Sequence, residues 1–315
     1  MKKILTIFFL LISILPLSAQ GGESVFTYLQ LPSSARTAAL GGYNVSVVEP
    51  DLSLVYGNPA LLGTEMDLIL NAGYLSYVGD VGVGNAAFAK STGEKSAFGV
   101  AFNFANYGNM LETTENNEII GDLKASDICG NLFFSRDLNE KIRGGVTAKF
   151  IYSNYYHNTA IGLGVDLGLS YYNEDNGLSF GVAGKNLGRQ IKAYEEELAD
   201  LPWDIQAGLS QKLNHAPIRY SVTFIGLNQW ETPFFRHLVL GVEMLPTDNF
   251  WIAAGYNTKR ASDLSLIEGN KFGGFSIGVG LRVKAFEIGC AVGLYHPGAT
   301  SFMVSLSTCL ADFKL

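Results

Sequence analysis

Cysteine is scarce in this 315-residue chain, with only Cys129, Cys290 and Cys309, far apart. There is neither a CxxC pair nor the density of a disulfide scaffold, so the three read as small buried or lipid-facing residues rather than functional thiols. Histidine is as sparse. His157, His215, His237 and His296 stand alone, without an HExxH or paired spacing, and no metal ligand is expected among them. Charge is low too, at 16% Asp, Glu, Lys and Arg, with a net balance of −7. An acidic chain is a poor partner for a phosphate backbone, which excludes nucleic acid as a partner. Long apolar runs are the fourth absence. Although 48% of residues are hydrophobic, no uninterrupted stretch after Leu17 approaches the ~20 residues of a helical span.

The opening run has its own reading. Lys2 and Lys3 precede the apolar segment Ile4 to Leu17, and Leu17-Ser18-Ala19 offers a small residue at a cleavage site. A run of roughly 14 residues is too short to span a bilayer, so residues 1–19 are expected to be a cleavable signal peptide. Without Lys2 and Lys3 the 22 basic side chains fall to 20, against 29 acidic ones. No cysteine follows closely, so no lipid anchor is expected.

A chain this apolar without membrane helices is either a β globule with a large core or a membrane barrel. Periodicity separates the two. From Met66 onward the dominant period is two. Ile161, Leu163, Val165, Leu167, Leu169 and Tyr171 share one face, while Gly162, Gly164, Asp166, Gly168 and Ser170 share the other. Ile277, Val279, Leu281 and Val283 likewise oppose Gly278, Gly280, Arg282 and Lys284, and Val146, Ala148, Phe150 and Tyr152 oppose Thr147, Lys149 and Ile151. Such alternation marks strands with one apolar and one polar face. Strands are expected at 66–77, 82–91, 96–107, 127–136, 142–153, 160–172, 177–187, 202–213, 217–227, 235–246, 250–258, 273–284, 285–295 and 301–310. That is about fourteen, of a length suited to tilted bilayer crossing.

The connections sort by parity. Tight links at Ser91–Ser96, Asp137–Lys141, Asn173–Asn176, Asn214–Ala216, Thr247–Asn249 and Lys284–Ala285 alternate with longer ones at 108–126, 188–201, 228–234 and 259–272. Short periplasmic turns and longer outer loops are the habit of outer-membrane barrels; Val78–Val81 is short for an outer loop. Tyr74, Tyr77, Tyr152, Tyr155, Tyr156, Tyr171, Tyr172, Trp203, Trp230, Trp251 and Tyr295 crowd strand ends, as interface girdles require. Fourteen strands enclose more space than wall side chains fill, so a plug or a ligand is expected. The segment before the barrel supplies the plug: Ser33 to Gly42 reads as a capped short helix stopped by glycines, and Asn58 to Gly63 as a second turn. Lys149, Asp166, Glu243, Arg282, Lys284 and Glu287 are expected to line the lumen and neutralise one another.

Chemical motifs are few. Gly177-Leu178-Ser179-Phe180-Gly181 and Gly274-Phe275-Ser276-Ile277-Gly278 match G-x-S-x-G, but each lies inside an alternating strand rather than at a strand–turn–helix elbow. The Gly-x-Gly doublets at 162 and 278 lack the helix of a dinucleotide site. Glu195-Glu196-Glu197 reads as a solvated outer face. No catalytic residue, cofactor or metal is expected, and the chain is read as a non-enzyme.

The run Val25-Phe26-Thr27-Tyr28-Leu29-Gln30-Leu31-Pro32-Ser33-Ser34-Ala35-Arg36-Thr37-Ala38-Ala39-Leu40-Gly41-Gly42 is followed by Asp51-Leu52-Ser53-Leu54 and Asn58-Pro59-Ala60-Leu61-Leu62. With Gly121 to Asp127 and Val165-Asp166-Leu167-Gly168, it resembles the PorQ family of type IX secretion barrels of the Bacteroidetes, over nearly the whole chain after the signal peptide. Similarity is weaker to PorV, which shares the Ala-Arg and Asn-Pro-Ala elements; both are FadL-like. The C-terminus departs from the usual barrel pattern, ending Phe313-Lys314-Leu315 instead of in an aromatic. The expectation is thus an all-β, FadL-like, fourteen-stranded antiparallel transmembrane β-barrel (66–315) with an N-terminal helical plug (20–65), crossing the outer membrane many times. The resemblance implies an attachment complex in which the barrel holds a PorZ-like surface protein near PorU and PorV, for joining cargo to lipopolysaccharide. Outer loops 108–126, 188–201 and 259–272 would carry that partner. The rival readings are a FadL-like channel for hydrophobic solutes, a PorV-like cargo shuttle, and a barrel hydrolase using Ser179 or Ser276.

Overall fold

The computed structural model describes residues 24–113, 119–156, 158–195, 197–229, 231–268, 271–296 and 299–313. The expected signal peptide, 1–19, lies outside them. Fourteen strands follow one another: β1 (Ile69–Ser76), β2 (Gly82–Ser91), β3 (Ser96–Thr113), β4 (Ile119–Asp137), β5 (Ile142–Tyr155), β6 (Asn158–Asn173) and β7 (Leu178–Lys192). The second half comprises β8 (Asp204–Lys212), β9 (Ile218–Phe224), β10 (Leu238–Thr247), β11 (Phe250–Asn257), β12 (Phe275–Val283), β13 (Phe286–His296) and β14 (Ala299–Cys309). Each pairs antiparallel with the next, and β14 closes on β1 from Ile69↔Cys309 to Ser76↔Phe302. Closure leaves no unpaired edge around the ring, the condition a sheet must meet in hydrocarbon.

The wall is inside out relative to a soluble protein. On β6, Leu163, Val165, Leu167 and Leu169 are exposed while Asp166 is 1% exposed. On β12, Phe275, Ile277, Val279 and Leu281 face outward and Ser276 is buried. A water-facing sheet would reverse this choice, since unpaired carboxylates are driven outward and leucines inward. The apolar belt therefore faces lipid, and the chain is a multi-pass outer-membrane barrel. No helix among the described residues is long and apolar enough to cross a membrane.

The start of β1, the end of β14 and the tight turns lie at one rim, which is periplasmic, and the longer connections lie at the other, where Val25 N–H donates to the Asp200 carbonyl at 3.3 Å. The outer connections depart from the expected loops. Segment 108–126 is mostly ladder: β3 and β4 pair on from Asn109↔Lys124 to Thr113↔Ile119. A register shift between Asn106 and Asn109, with Gly108 at φ 76°, reverses the side-chain parity and conceals the continuation. Residues 188–192 of the second segment belong to β7, and the remainder folds back through Gln190 N–H to Ala199 C=O at 3.0 Å and Leu201 N–H to Gly188 C=O at 3.1 Å. Within 259–272 the chain is helical over Thr258–Glu268, and the Asn257 side chain caps that helix by accepting from Arg260 N–H at 3.0 Å.

Residues 24–68 enter the barrel and fill its middle. Helix α1 (Ala35–Ala39) begins at Ser34, whose hydroxyl accepts from Thr37 N–H at 3.1 Å, and ends at Gly41 and Gly42, both at positive φ. A single turn at Pro59–Leu61 is capped by Asn58, which accepts from Ala60 N–H at 2.9 Å. The later helix Thr258–Glu268 is α2. Bare spots on the wall receive the plug backbone. A Cβ on Gly181 would meet the Val45 carbonyl, one on Gly145 the Pro59 peptide, and one on Gly255 the backbone of Leu40 and Gly41. The alternating glycines of the strands are thus the seat of the plug, a close approach that any side chain would block.

Candidate functional site

Three zones stack along the lumen. At the periplasmic mouth the plug is bound by ions. Arg36, 6% exposed, reaches Glu243 at 3.4 Å, Asp51 at 3.5 Å and Glu287 at 3.8 Å. Its guanidinium stacks on Trp251, with Cζ 5.1 Å from the ring centroid, and the Trp251 indole N–H donates to Glu287 at 3.2 Å. Arg219 on β9 bridges Glu49 of the plug and Glu243 of β10, each at 2.6 Å. Burial works against the Glu49 carboxylate, but Arg219 and Arg36 beside it more than offset this and hold its pKa below the ordinary carboxylate value. Polar cavities of about 260 and 240 Å³ flank the plug turn Glu49–Asp51.

In the middle, Asp166 lies between Lys149 at 2.8 Å and Lys185 at 2.7 Å, all three buried. A register shift between Val165 and Leu167 against β7, with Asn186 at φ 53°, turns both Lys185 and Asn186 inward. Lys185 also donates to the Tyr56 carbonyl of the plug. A chamber of about 70 Å³ lies here, under Tyr28, Leu31 and Tyr43.

The outer mouth is different. A vestibule of about 560 Å³ rests on the plug segment Thr27–Pro32 and Tyr43. Tyr77, Val78 and Val81 of the β1–β2 link, Val83, Tyr107, Ile225, Leu264 and Tyr295 close its sides. Apolar and tyrosine surface dominates, and Lys259, Arg260 and Asp263 of α2 bring charge to it, with Arg260 Cζ 4.3 Å from the Tyr295 ring centroid. A concave, mostly apolar space with a few fixed polar groups is the form small-molecule sites take.

The residues singled out in the sequence fall as follows. Lys149 with Asp166 and Arg282 with Glu287 (2.9 Å) pair as expected, as Glu243 does with Arg36 and Arg219. Lys284 does not line the lumen: it occupies the exposed β12–β13 turn at φ 56°. Trp251 and Tyr295 leave the girdle for the lumen, because both lie in phase with inward-facing neighbours on β11 and β13; Trp230 and His157 lie outside the described residues. Ser179 donates to the Ser46 carbonyl at 2.6 Å, and Ser276 donates to the Ala39 carbonyl at 2.9 Å while accepting from Gly41 N–H at 3.1 Å. Both serines tether the plug. His237 is buried, with ring nitrogens at the Ile225 and Thr232 carbonyls. The three cysteines are free, and no metal-binding group of side chains occurs among the described residues. Arg36, Lys185, Arg219 and Arg260 were missed; inward parity on β9 was the available signal for Arg219.

A closed fourteen-strand barrel with a lipid-facing apolar wall and an N-terminal plug has the fold of the FadL-like outer-membrane barrels. No protein-family description matches the sequence, and no curated protein matches it. Solved structures do match. The toluene transporter TbuX of Ralstonia pickettii aligns with a TM-score of 0.57 at 12% identity, covering 89% of this chain and 99% of that one. A FadL homologue of Pseudomonas aeruginosa gives 0.57 at 13% identity, over 89% and 99%. The toluene transporter TodX of Pseudomonas putida gives 0.55 at 13% identity, over 88% and 96%. At such identities the likeness is one of fold.

Proposed function

We propose that this barrel admits hydrophobic solutes from the outer surface, with the outer vestibule as the entry site and the N-terminal plug as the closure beneath it. The observation that carries this reading is the vestibule itself, about 560 Å³ of tyrosine and aliphatic surface open at the outer mouth and floored by the plug. Its support from fold is that two barrels of the same architecture are toluene transporters. No residue is assigned a catalytic role, and the protein is taken as a non-enzyme. The test is uptake of labelled toluene by cells with an intact outer membrane. Deletion is expected to lower the rate several-fold, and Val83→Trp, which fills the vestibule, to do the same while leaving the folded barrel intact on gels. Equal uptake with and without the protein overturns the reading.

A second reading, the type IX secretion anchor, is favoured by the motif from Val25 to Leu62 and by a lumen closed by that same segment. In it the outer rim holds a PorZ-like surface protein near PorU and PorV, and segments 108–126, 188–201 and 259–272 form the contact as a rising hairpin, a folded-back strand end and helix α2. Affinity purification from solubilised outer membranes is expected to bring these partners along; a barrel that purifies alone at native abundance overturns the anchor reading.

A further inference from the structure

We propose that Arg260 anchors the carboxylate of an aromatic acid in the outer vestibule, an inference that rests on the vestibule being a solute site. Arg260 is 9% exposed. Its Nε donates to the Gly273 carbonyl at 3.0 Å and its Nη2 to the Gly274 carbonyl at 2.9 Å. Its third nitrogen, Nη1, is buried without a hydrogen-bond partner, and no carboxylate pairs with the guanidinium among the described residues. Nearby acids are already engaged: Asp263 pairs with Arg236, and Asp204 accepts from Gly226 N–H at 2.6 Å and from Gln206 at 2.7 Å. A desolvated cation lacking a counter-charge is unfavourable unless an anion completes it.

The group is also held in place. The carbonyls of Gly273, Gly274 and Phe275 hold Nε and Nη2, and the Tyr295 ring lies under the guanidinium face, so Nη1 is the donor left for an acceptor. Gly42, at φ 93°, keeps the approach to Nη1 open. A Cβ there would lie 3.4 Å from the Tyr295 hydroxyl and 3.6 Å from Nη1. Lys259 and Asp263 on the same wall offset each other, so the net single positive charge with Arg260 suits a singly charged carboxylate rather than a phosphate dianion. The rest of the ligand meets Tyr28, Tyr43, Tyr77, Tyr107 and Tyr295, ring surfaces that pack an aryl group edge to face or offset. The ligand class is therefore an aryl or arylalkyl monocarboxylate, and the charged head distinguishes it from a neutral hydrocarbon.

The experiment is calorimetric titration of the full detergent-purified barrel with 3-phenylpropionate, its neutral amide, toluene and laurate. The acid is expected to bind at least tenfold more tightly than the amide or laurate. Arg260→Gln is expected to erase the acid's advantage while amide binding and heat-modifiable gel migration stay unchanged, with Arg260→Lys restoring part of it. An acid no better than its amide on the unmodified chain overturns the proposal without needing any variant. So does an acid preference that survives Arg260→Gln, or laurate binding more tightly than the aryl acid. Toluene and amide binding without an acid preference removes only the Arg260 anchor; no binding by any probe removes the vestibule reading as well.

Discussion

At the periplasmic mouth Arg36 and Arg219 each meet two or more carboxylates, whereas at the outer mouth Arg260 meets carbonyls and a tyrosine ring but no acid among the described residues. Both ends bury cations beside the same plug. Arg36 Nε and Arg219 Nη2 lack a hydrogen bond just as Arg260 Nη1 does, but the lower end has balanced its cations with carboxylates and the upper end has not. That difference separates a fastening from a binding site, although charge and burial alone look alike at the two places.

The largest expected effect tests the fastening. Arg36→Ala leaves Asp51 without its cation and removes one of the two on Glu243, which is 1% exposed and keeps Arg219, and breaking a buried pair from one side costs about 3–5 kcal/mol. The temperature at which the barrel loses its fast gel mobility should fall sharply, and a wild-type value would break the contrast between the mouths. Next is Gly181→Val, whose side chain would collide with the Val45 carbonyl. Overpacking of this kind costs about 1–3 kcal/mol, read as earlier protease cleavage within residues 24–68; unchanged cleavage would mean the plug does not occupy this seat. Ser276→Ala removes the tether to Ala39 and Gly41 near the outer end, worth about 1 kcal/mol for a hydrogen bond, and should raise protease cleavage within residues 39–42 while the Arg36 ion pairs at the other end of α1 stay in place. The smallest effect comes from acid. Because the Glu49 carboxyl is held below its ordinary value, its pair with Arg219 adds stability at neutral pH that is lost only as the pH falls through that lowered value. Plug cleavage should then rise, while Glu49→Gln should remove this part of the pH dependence.

Much of this architecture was readable in advance, for a physical reason. A wall with lipid on one side and a polar lumen on the other imposes period two on every strand, so β2, β5 and β11 fall close to their expected limits. The pattern fails where geometry breaks parity: at Gly108, where a shifted register conceals six further residues of β3, and at Asn186, which is turned inward directly after the in-phase Lys185 and so reverses the parity from there to Gln190. Helix α2 escaped because its apolar residues form no clear stripe. The vestibule escaped for another reason. Tyr43, Tyr107, Arg260 and Tyr295 come from the plug, β3, α2 and β13, and no local spacing announces residues that only barrel closure brings together. Strand-end aromatics suggested girdles, yet inward phase on β11 already assigned Trp251 to the lumen.

The glycine seats bear on assembly. Ser33 and Ala35 rest against Gly73 of the first strand and Gly289 of the penultimate one, and the Asn85 amide donates to the Ser33 carbonyl at 2.9 Å. The hoop that closes last in the chain is thus shaped to a mandrel that is synthesised first. A barrel made without residues 24–68 would have to join its ends around empty troughs, so the strands that close the ring share their inner surface with the leading segment.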